Sequence, residues 1–412
     1  MLNKQQIATL RELGKRIHEL AQQPENEEKR RGWIALNGLR PERPMIIIDQ
    51  IPWSEINVDG SLTCVCDDPF WKKQEYNLRK MLFKMKYFPA DFVVPDFVEI
   101  PKAICGLNDF GVQAQEDISV LTEGSEVVGH YYHDTLATDE AVDAIHAPHP
   151  YEDKAESARR LAEAHEIFDG VIPVRMVGVT VSDSVWDWIS SWRGVEAPLY
   201  DLIERPEFIH KLVGKLTDGL MEQLDALEAQ NLLGADQQYI HCTGAFTDQL
   251  PKEGFDPEHV RAKDVWCFGL AQMLDTVSPA MFNEFELEYA NKYYARFGLV
   301  YYGCCDALHH KMKYVRNIPN VRKISMSPWS NAEIGAAEIG RDFVFSSKPS
   351  PAFVGAPSWE PEAVKNDLLR IKAACDKNGC PVEFILKDIS TCCNDLNRLV
   401  EWNKIAMSIA KG

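Results

Sequence analysis

The sequence predicts an α/β protein, a (β/α)8 TIM barrel with an N-terminal helical extension. Three observations predict it. Short apolar runs and amphipathic helical patterns alternate about eight times, the pattern of a parallel sheet covered by helices. A length of 412 residues holds eight such units and an extension. No Gly-x-Gly-x-x-Gly turn follows the first apolar run and no Gly-Lys-Ser/Thr phosphate loop occurs, which weakens the alternative of an open doubly wound sheet.

In chain order, residues 1–37 form an amphipathic helical pattern broken by the polar stretch from Gln22 to Arg31. They are expected to be an arm, ending near residue 40, ahead of a single barrel domain over 41–412. Strands are expected at Pro44 to Asp49, Phe92 to Asp96, Val171 to Val177, Gln238 to His241, Leu299 to Tyr302, Val321 to Ser325, Phe343 to Ser346 and Val382 to Leu386. Helical patterns cover roughly 155–167, 199–230, 279–297, 331–338, 359–377 and 394–410. The weakly patterned segment 101–150 is expected to be an insertion over the barrel mouth.

The charge balance narrows the partners. Lys and Arg number 44 against 62 Asp and Glu, a formal charge of −18. That excess of acid argues against binding to nucleic acid or an anionic membrane, which depends on basic residues. No apolar run is long enough for a membrane span, and the first twenty residues lack the apolar core of a secretory signal. An odd count of eleven cysteines fits reduced thiols, so a cytoplasmic location is expected.

Reactive groups of such barrels gather where strands end. Applied to the expected strands, that rule selects Asp49 with Trp53 and Glu55, Asp96 with Glu99, His241 with Cys242, Cys304-Cys305-Asp306 with His309, Lys348, and Lys387-Asp388. Asp49, Trp53, Glu55, Asp96, Glu99, Lys348 and Asp388 are the candidate substrate contacts. Imidazole, thiolate and carboxylate converging from separate strands suit zinc, and His241 with Cys304 is the strongest pair. The competing reading has His241 bonding a loop and Cys304 packed in the core. Glu288 and His309 complete the candidate metal set, although the acidic run from Glu284 to Glu288 also fits a solvated helix face. Trp186, Trp188 and Trp192 form an aromatic cluster suited to a pocket floor, a core or an interface.

Several blocks resemble the uroporphyrinogen decarboxylase superfamily, and within it the corrinoid-dependent methyltransferase branch, similar to the first methyltransferase of O-demethylase systems. They are Arg31-Gly-Trp33 with Leu36-Asn37, Arg43 to Glu55, Val277 to Phe285, Arg296 to Asp306, Ile318 to Trp329 and Ser347 to Ala352. The resemblance implies a barrel enzyme that passes a methyl group from a methylated small molecule to the cobalt of a separate corrinoid protein. It also implies zinc, held in similar enzymes by His-x-Cys and a later Cys or by a Glu, Glu, His pattern. This chain departs from both: Tyr302 stands at the His of the first pattern and Met273 at the first carboxylate of the second, where Glu288 and His309 do match. The arginine-rich N-terminal segment of porphyrinogen decarboxylases is missing. Tyr302 and Asp306 are the candidate acids for the departing group.

Three readings follow. In the first, the chain moves a methyl group from a methylated small molecule, the aromatic clustering leaning toward an aryl methyl ether, to cobalamin supplied by a partner corrinoid protein. The second is a metal-independent decarboxylase or lyase, with Asp49, Asp96 and Lys348 polarising a carboxylated substrate. A non-catalytic barrel that binds a ligand, suggested by Met273, is the third. The chain itself lacks a corrinoid-binding Asp-x-His-x-x-Gly element, and homo-oligomerisation stays open.

Overall fold

The computed structural model describes residues 2–120 and 128–412. Part of the expected insertion at 101–150, residues 121–127, lies outside the described residues. The architecture is mixed α/β around a seven-stranded parallel sheet. Its strands are β1 (Met45–Ile48), β2 (Ser182–Asp183), β3 (Trp266–Gly269), β4 (Leu299–Tyr302), β5 (Val321–Met326), β6 (Val344–Ser347) and β7 (Val382–Leu386). They lie side by side in the order β2-β3-β4-β5-β6-β7-β1.

The strands are buried along nearly their whole length because both faces of the sheet are covered. Register assigns the side chains. Tyr301 pairs with Lys323, Lys323 with Val344, Ser346 with Glu383, and Glu383 with Met45, so these residues share one face. That inner face is packed by Trp33 and Leu36, by Val93, and by Ile240, Cys242 and Ala245. The alternate residues, among them Ile46, Val300, Tyr302, Phe345 and Phe384, pack in the larger core beneath the helices.

The N-terminal extension is part of the fold. α1 (Lys4–Ala21) opens on a capping box between Asn3 and Gln6, and α2 (Pro24–Asn37) begins with Pro24, whose missing N–H costs nothing in a first turn. Leu10, Leu13 and Ile17 of α1 pack against Trp71, Leu78 and Leu82 of α3 (Pro69–Tyr87). The Trp33 ring donates to the Asp91 carbonyl at 2.8 Å, and Asn37 donates to the carbonyls of Gly244 and Phe246. Helix α2 therefore plugs the inner face.

No closed ladder of eight strands is present among the described residues. The free edge of β1 receives one backbone bond, Asp91 N to Ile46 O at 3.0 Å, before the chain turns away. The expected strand Phe92 to Asp96 is irregular; Pro95 lacks the donor a ladder needs. Val98–Pro101 instead pairs in parallel with Val174–Val177, outside the main sheet. Tyr239–Ile240 makes a two-residue antiparallel pair with Thr243–Gly244. Strand β3 was not expected, and it fills a central place. The expected helix over 199–230 is split at Arg205, ahead of Pro206. No helix among the described residues is long and apolar enough to cross a membrane.

The inner face carries a buried ion pair, Lys323 Nζ to Glu383 Oε2 at 2.8 Å, with the Thr243 hydroxyl donating to the same carboxylate oxygen at 2.7 Å. Lys323→Met would leave that carboxylate buried without its cation. We expect a loss of about 3–5 kcal/mol in unfolding free energy, read from the denaturant midpoint. The double variant K323M/E383M should recover most of that loss.

Candidate functional site

At the C-terminal end of the sheet, the strand β4 leads into Gly303, which adopts a φ of 91°. A Cβ there would lie 2.4 Å from Leu308 and 3.1 Å from Ser325, so only glycine fits the turn. The turn takes the next two residues off the pleat, and the Cys304 and Cys305 sulfurs lie 3.6 Å apart rather than on opposite faces. Lys387, immediately after β7, places Nζ 2.8 Å from Cys304 Sγ. His241 has a left-handed φ of 52° and lays its ring flat on Phe268, with centroids 4.1 Å apart at 6°. Its Nε2 is then 3.6 Å from Cys304 Sγ. Asp388 closes the group, accepting from Cys305 Sγ at 3.5 Å and pairing with Lys387 at 2.9 Å. Single donor atoms of Cys304, Cys305 and Asp388 all lie within 4.8 Å of one another.

The electrostatics are asymmetric. Hydrogen bonding from Cys305, then from His241 and Lys387, outweighs burial and holds the Cys304 thiol down at about 3. Cys305 goes far the other way, because it donates to the Cys304 thiolate and is partly desolvated. Burial opposes charge on His241, but the neighbouring Cys242 and Cys304 sulfurs prevail and push the imidazole up to about 9. Lys387 is likewise raised: burial disfavours its charge, and the same two sulfurs more than compensate. The result is a thiolate flanked by two cations.

One carboxylate that the sequence reasoning missed faces this group. Asp187, on helix α4 (Val185–Arg193), accepts from Gln272 at 3.2 Å. Burial raises its pKa, and the Cys304 and His241 charges act on it in opposite directions. Cys305 and Lys387 were singled out at the strand ends but given no role there. Asp187 sits inside the tryptophan-rich run, where the rings drew attention away from the acid.

The other expected site residues fall in several places. Asp306 is fully buried and accepts from Cys304 N at 3.1 Å; its Oδ1 has no partner among the described residues, and burial pushes the carboxyl up to about 6. Tyr302 is buried on the helix-covered face, donating to Glu286 at 3.1 Å. His309 is buried against His310, its Nδ1 unpartnered among the described residues and its pKa lowered by desolvation. Glu288 is exposed and accepts from Asn283 at 3.0 Å, as a solvated helix face would. Glu286 is the inward-facing acid of that run, its carboxyl raised by burial.

Lys348 lies on the inner face, its Nζ 2.5 Å from Tyr301 OH and 2.8 Å from Ser346 Oγ. Asp49 pairs with Lys84 at 2.8 Å, and Trp53 packs edge-on against Phe83. Glu55 accepts from the Thr391 hydroxyl and from the N–H groups of Cys392 and Asn394, pinning that loop. Asp96 joins His18 at 2.6 Å, tying α1 to the domain. Glu99 lines a separate cleft. Trp188 and Trp192 stack on each other, Phe110 meets the first tilted and the second edge-on, and Trp186 is wholly buried, so this cluster is core.

Comparison with known proteins adds little. No family model matches the chain, and no curated protein matches it. Among solved structures, a methyltransferase from Methanosarcina mazei aligns over 91% of this chain and 97% of its own, with 11% sequence identity and a TM-score of 0.49. An identity this low assigns no residue a counterpart.

The charge pattern at Cys304 has a direct readout. In the metal-free chain, the ultraviolet thiolate absorbance that C304S removes should persist from neutral pH to about pH 4, one unit above the titration of Cys304, and fade below it. K387M should move that midpoint upward. A wild-type midpoint near the ordinary value of about 8.5 would contradict the geometry.

Proposed function

We propose that the chain is a methyltransferase that takes a methyl group from a methylated small molecule and passes it to the cobalt of a separate corrinoid protein. The observation that carries this reading is the arrangement of donors about Cys304 Sγ, with His241 Nε2 and Cys305 Sγ each at 3.6 Å. Bonds of about 2.3 Å to sulfur and 2.0–2.1 Å to nitrogen at tetrahedral angles put ligand atoms roughly 3.5–3.8 Å apart. The donor atoms of Cys304, Cys305 and Asp388 converge within 4.8 Å, a set that suits zinc, and His241, bonded to the Cys304 sulfur, would join it once its imidazole gives up a proton. Zinc held there would supply Lewis acidity toward the heteroatom that carries the methyl group.

The chain's own residues do the rest. Stacking on Phe268 fixes the direction of the His241 ring, and Lys387 balances the charge of the Cys304 thiolate. Asp187, with its raised pKa, is the proton donor to the departing heteroatom as its bond to the methyl carbon breaks. The same reading takes the seven-stranded sheet as the larger part of a (β/α)8 barrel, its wall completed by Val98–Pro101 and Val174–Val177. Lys348 lies on the inner face, where an anionic substrate group would be attracted.

One contact favours a variant of the reading. With Lys387 Nζ 2.8 Å from Cys304 Sγ, the thiolate is a competent nucleophile without metal. The methyl group would then move to sulfur, forming a thioether as the heteroatom leaves with a proton.

Protein purified without chelator should contain about one zinc per chain, and C304S and H241A should lose it. Mixed with a reduced corrinoid protein and a panel of methylated ethers, amines and thioethers, the wild type should change the cobalt absorption spectrum. C304S should slow that change by about a hundredfold or more. Activity that survives chelation, with a methyl mass gained on Cys304, would select the metal-free variant. Turnover in C304S equal to wild type would overturn both.

A further inference from the structure

A large cavity lies apart from the Cys304 group. It holds about 740 Å3 and opens between α3, the strand Val98–Pro101 and the segment 234–239. Ligand pockets are commonly about 300–1,000 Å3. One wall is aromatic: Phe92 and Tyr239 stack with centroids 5.2 Å apart at 12°. Leu78 and Met81 of α3 add aliphatic and thioether surface.

Its polar lining divides into engaged and free groups. Arg160 is held by Glu156 at 2.8 Å and lies over the Phe70 ring, and Asp236 is paired with Arg175 at 3.1 Å. Glu99, on the strand, and Lys73, on the facing helix, have no ion pair or hydrogen bond among the described residues. Gln74 also lines the cavity, largely buried, and its amide makes no hydrogen bond to the protein among the described residues. Glu99 lines the cavity with its side chain exposed to solvent; partial desolvation raises its carboxyl above the usual range, with Arg175 opposing.

We propose that this cavity binds an amino-acid-type zwitterion with an aromatic or apolar side chain, its ammonium group against Glu99 and its carboxylate against Lys73. The two free charges are of opposite sign and stand on different elements, so a ligand carrying both charges satisfies both at once. Gln74 supplies a further hydrogen bond, and the side chain lies along Phe92, Tyr239 and Met81. None of these residues belongs to the Cys304 group, so the inference does not rest on methyl transfer.

Calorimetric titration of the full chain with phenylalanine, phenethylamine and 3-phenylpropionate tests it. Phenylalanine should bind, with each singly charged analogue weaker by about tenfold or more. Glu99→Gln should erase the preference for phenylalanine over 3-phenylpropionate, and Lys73→Met the preference over phenethylamine, in proteins whose thermal melts match wild type. C304S should bind phenylalanine as the wild type does, whatever becomes of its methyl-transfer activity. Absence of heat with phenylalanine, or preferences unchanged in both variants, would overturn the proposal.

Discussion

Lys387 meets the Cys304 sulfur because of strand register. Glu383, Ile385 and Lys387 alternate onto the inner face of the sheet, and the pairing of Ser346 with Glu383 sets Lys348 on the same face one strand away. Lys323 shares that face through its pairing with Val344. Three ammonium groups thus project into a region walled by Trp33, Trp266 and Phe268. Desolvating an ion costs several kcal/mol, and each lysine offsets that cost differently. Glu383 and Thr243 serve Lys323; hydroxyls of Tyr301 and Ser346 serve Lys348. Lys387 has the thiolate, with Asp388 at the solvent edge. The ionised sulfur is therefore a consequence of how the sheet is charged from within.

Helix α2 makes that arrangement possible. Where β1 meets Asp91 the ladder stops, and an unfilled inner face would admit water and weaken each of these pairings. Trp33 and Asn37 instead seal it, the ring pressed so close to Gly244 that a Cβ there would lie 2.5 Å away. Arg43 clamps the junction, giving Asp91 two charge-assisted bonds of 2.7 and 2.9 Å. The segment expected to be an arm is thus a working part of the domain.

The parts of this structure legible in the sequence are those that physical patterning determines locally. Strands β1, β4, β5, β6 and β7 are apolar runs of four to six residues, and they were recognised. Strand β3 has the same character, in the run from Val265 to Ala271, and could have been found by it. At Gln238 to His241 pattern failed, because His241 takes a left-handed backbone that no hydrophobic periodicity encodes. Glu286 was hidden by geometry: the helix holds a π-turn over Asn283–Leu287, which shifts the face that a 3.6-residue period would predict. The pairing of His241 with Cys304 was accessible from residue chemistry alone. The role of Lys387, and Asp187 itself, needed register and tertiary packing to come into view.

The adjacent cysteines carry the argument one step further. Two thiolates 3.6 Å apart would repel by about 5 kcal/mol at an effective dielectric of 20. The Lys387 ammonium and the His241 imidazolium flank one thiolate, and the proton stays on Cys305. A second thiolate requires more positive charge at the same point than these two provide. The zinc proposed above would supply it, and its binding would release protons from Cys305 and His241. The metal-free pair is accordingly half prepared: one sulfur already has the charge a ligand needs, and the other holds its proton until a stronger positive charge arrives.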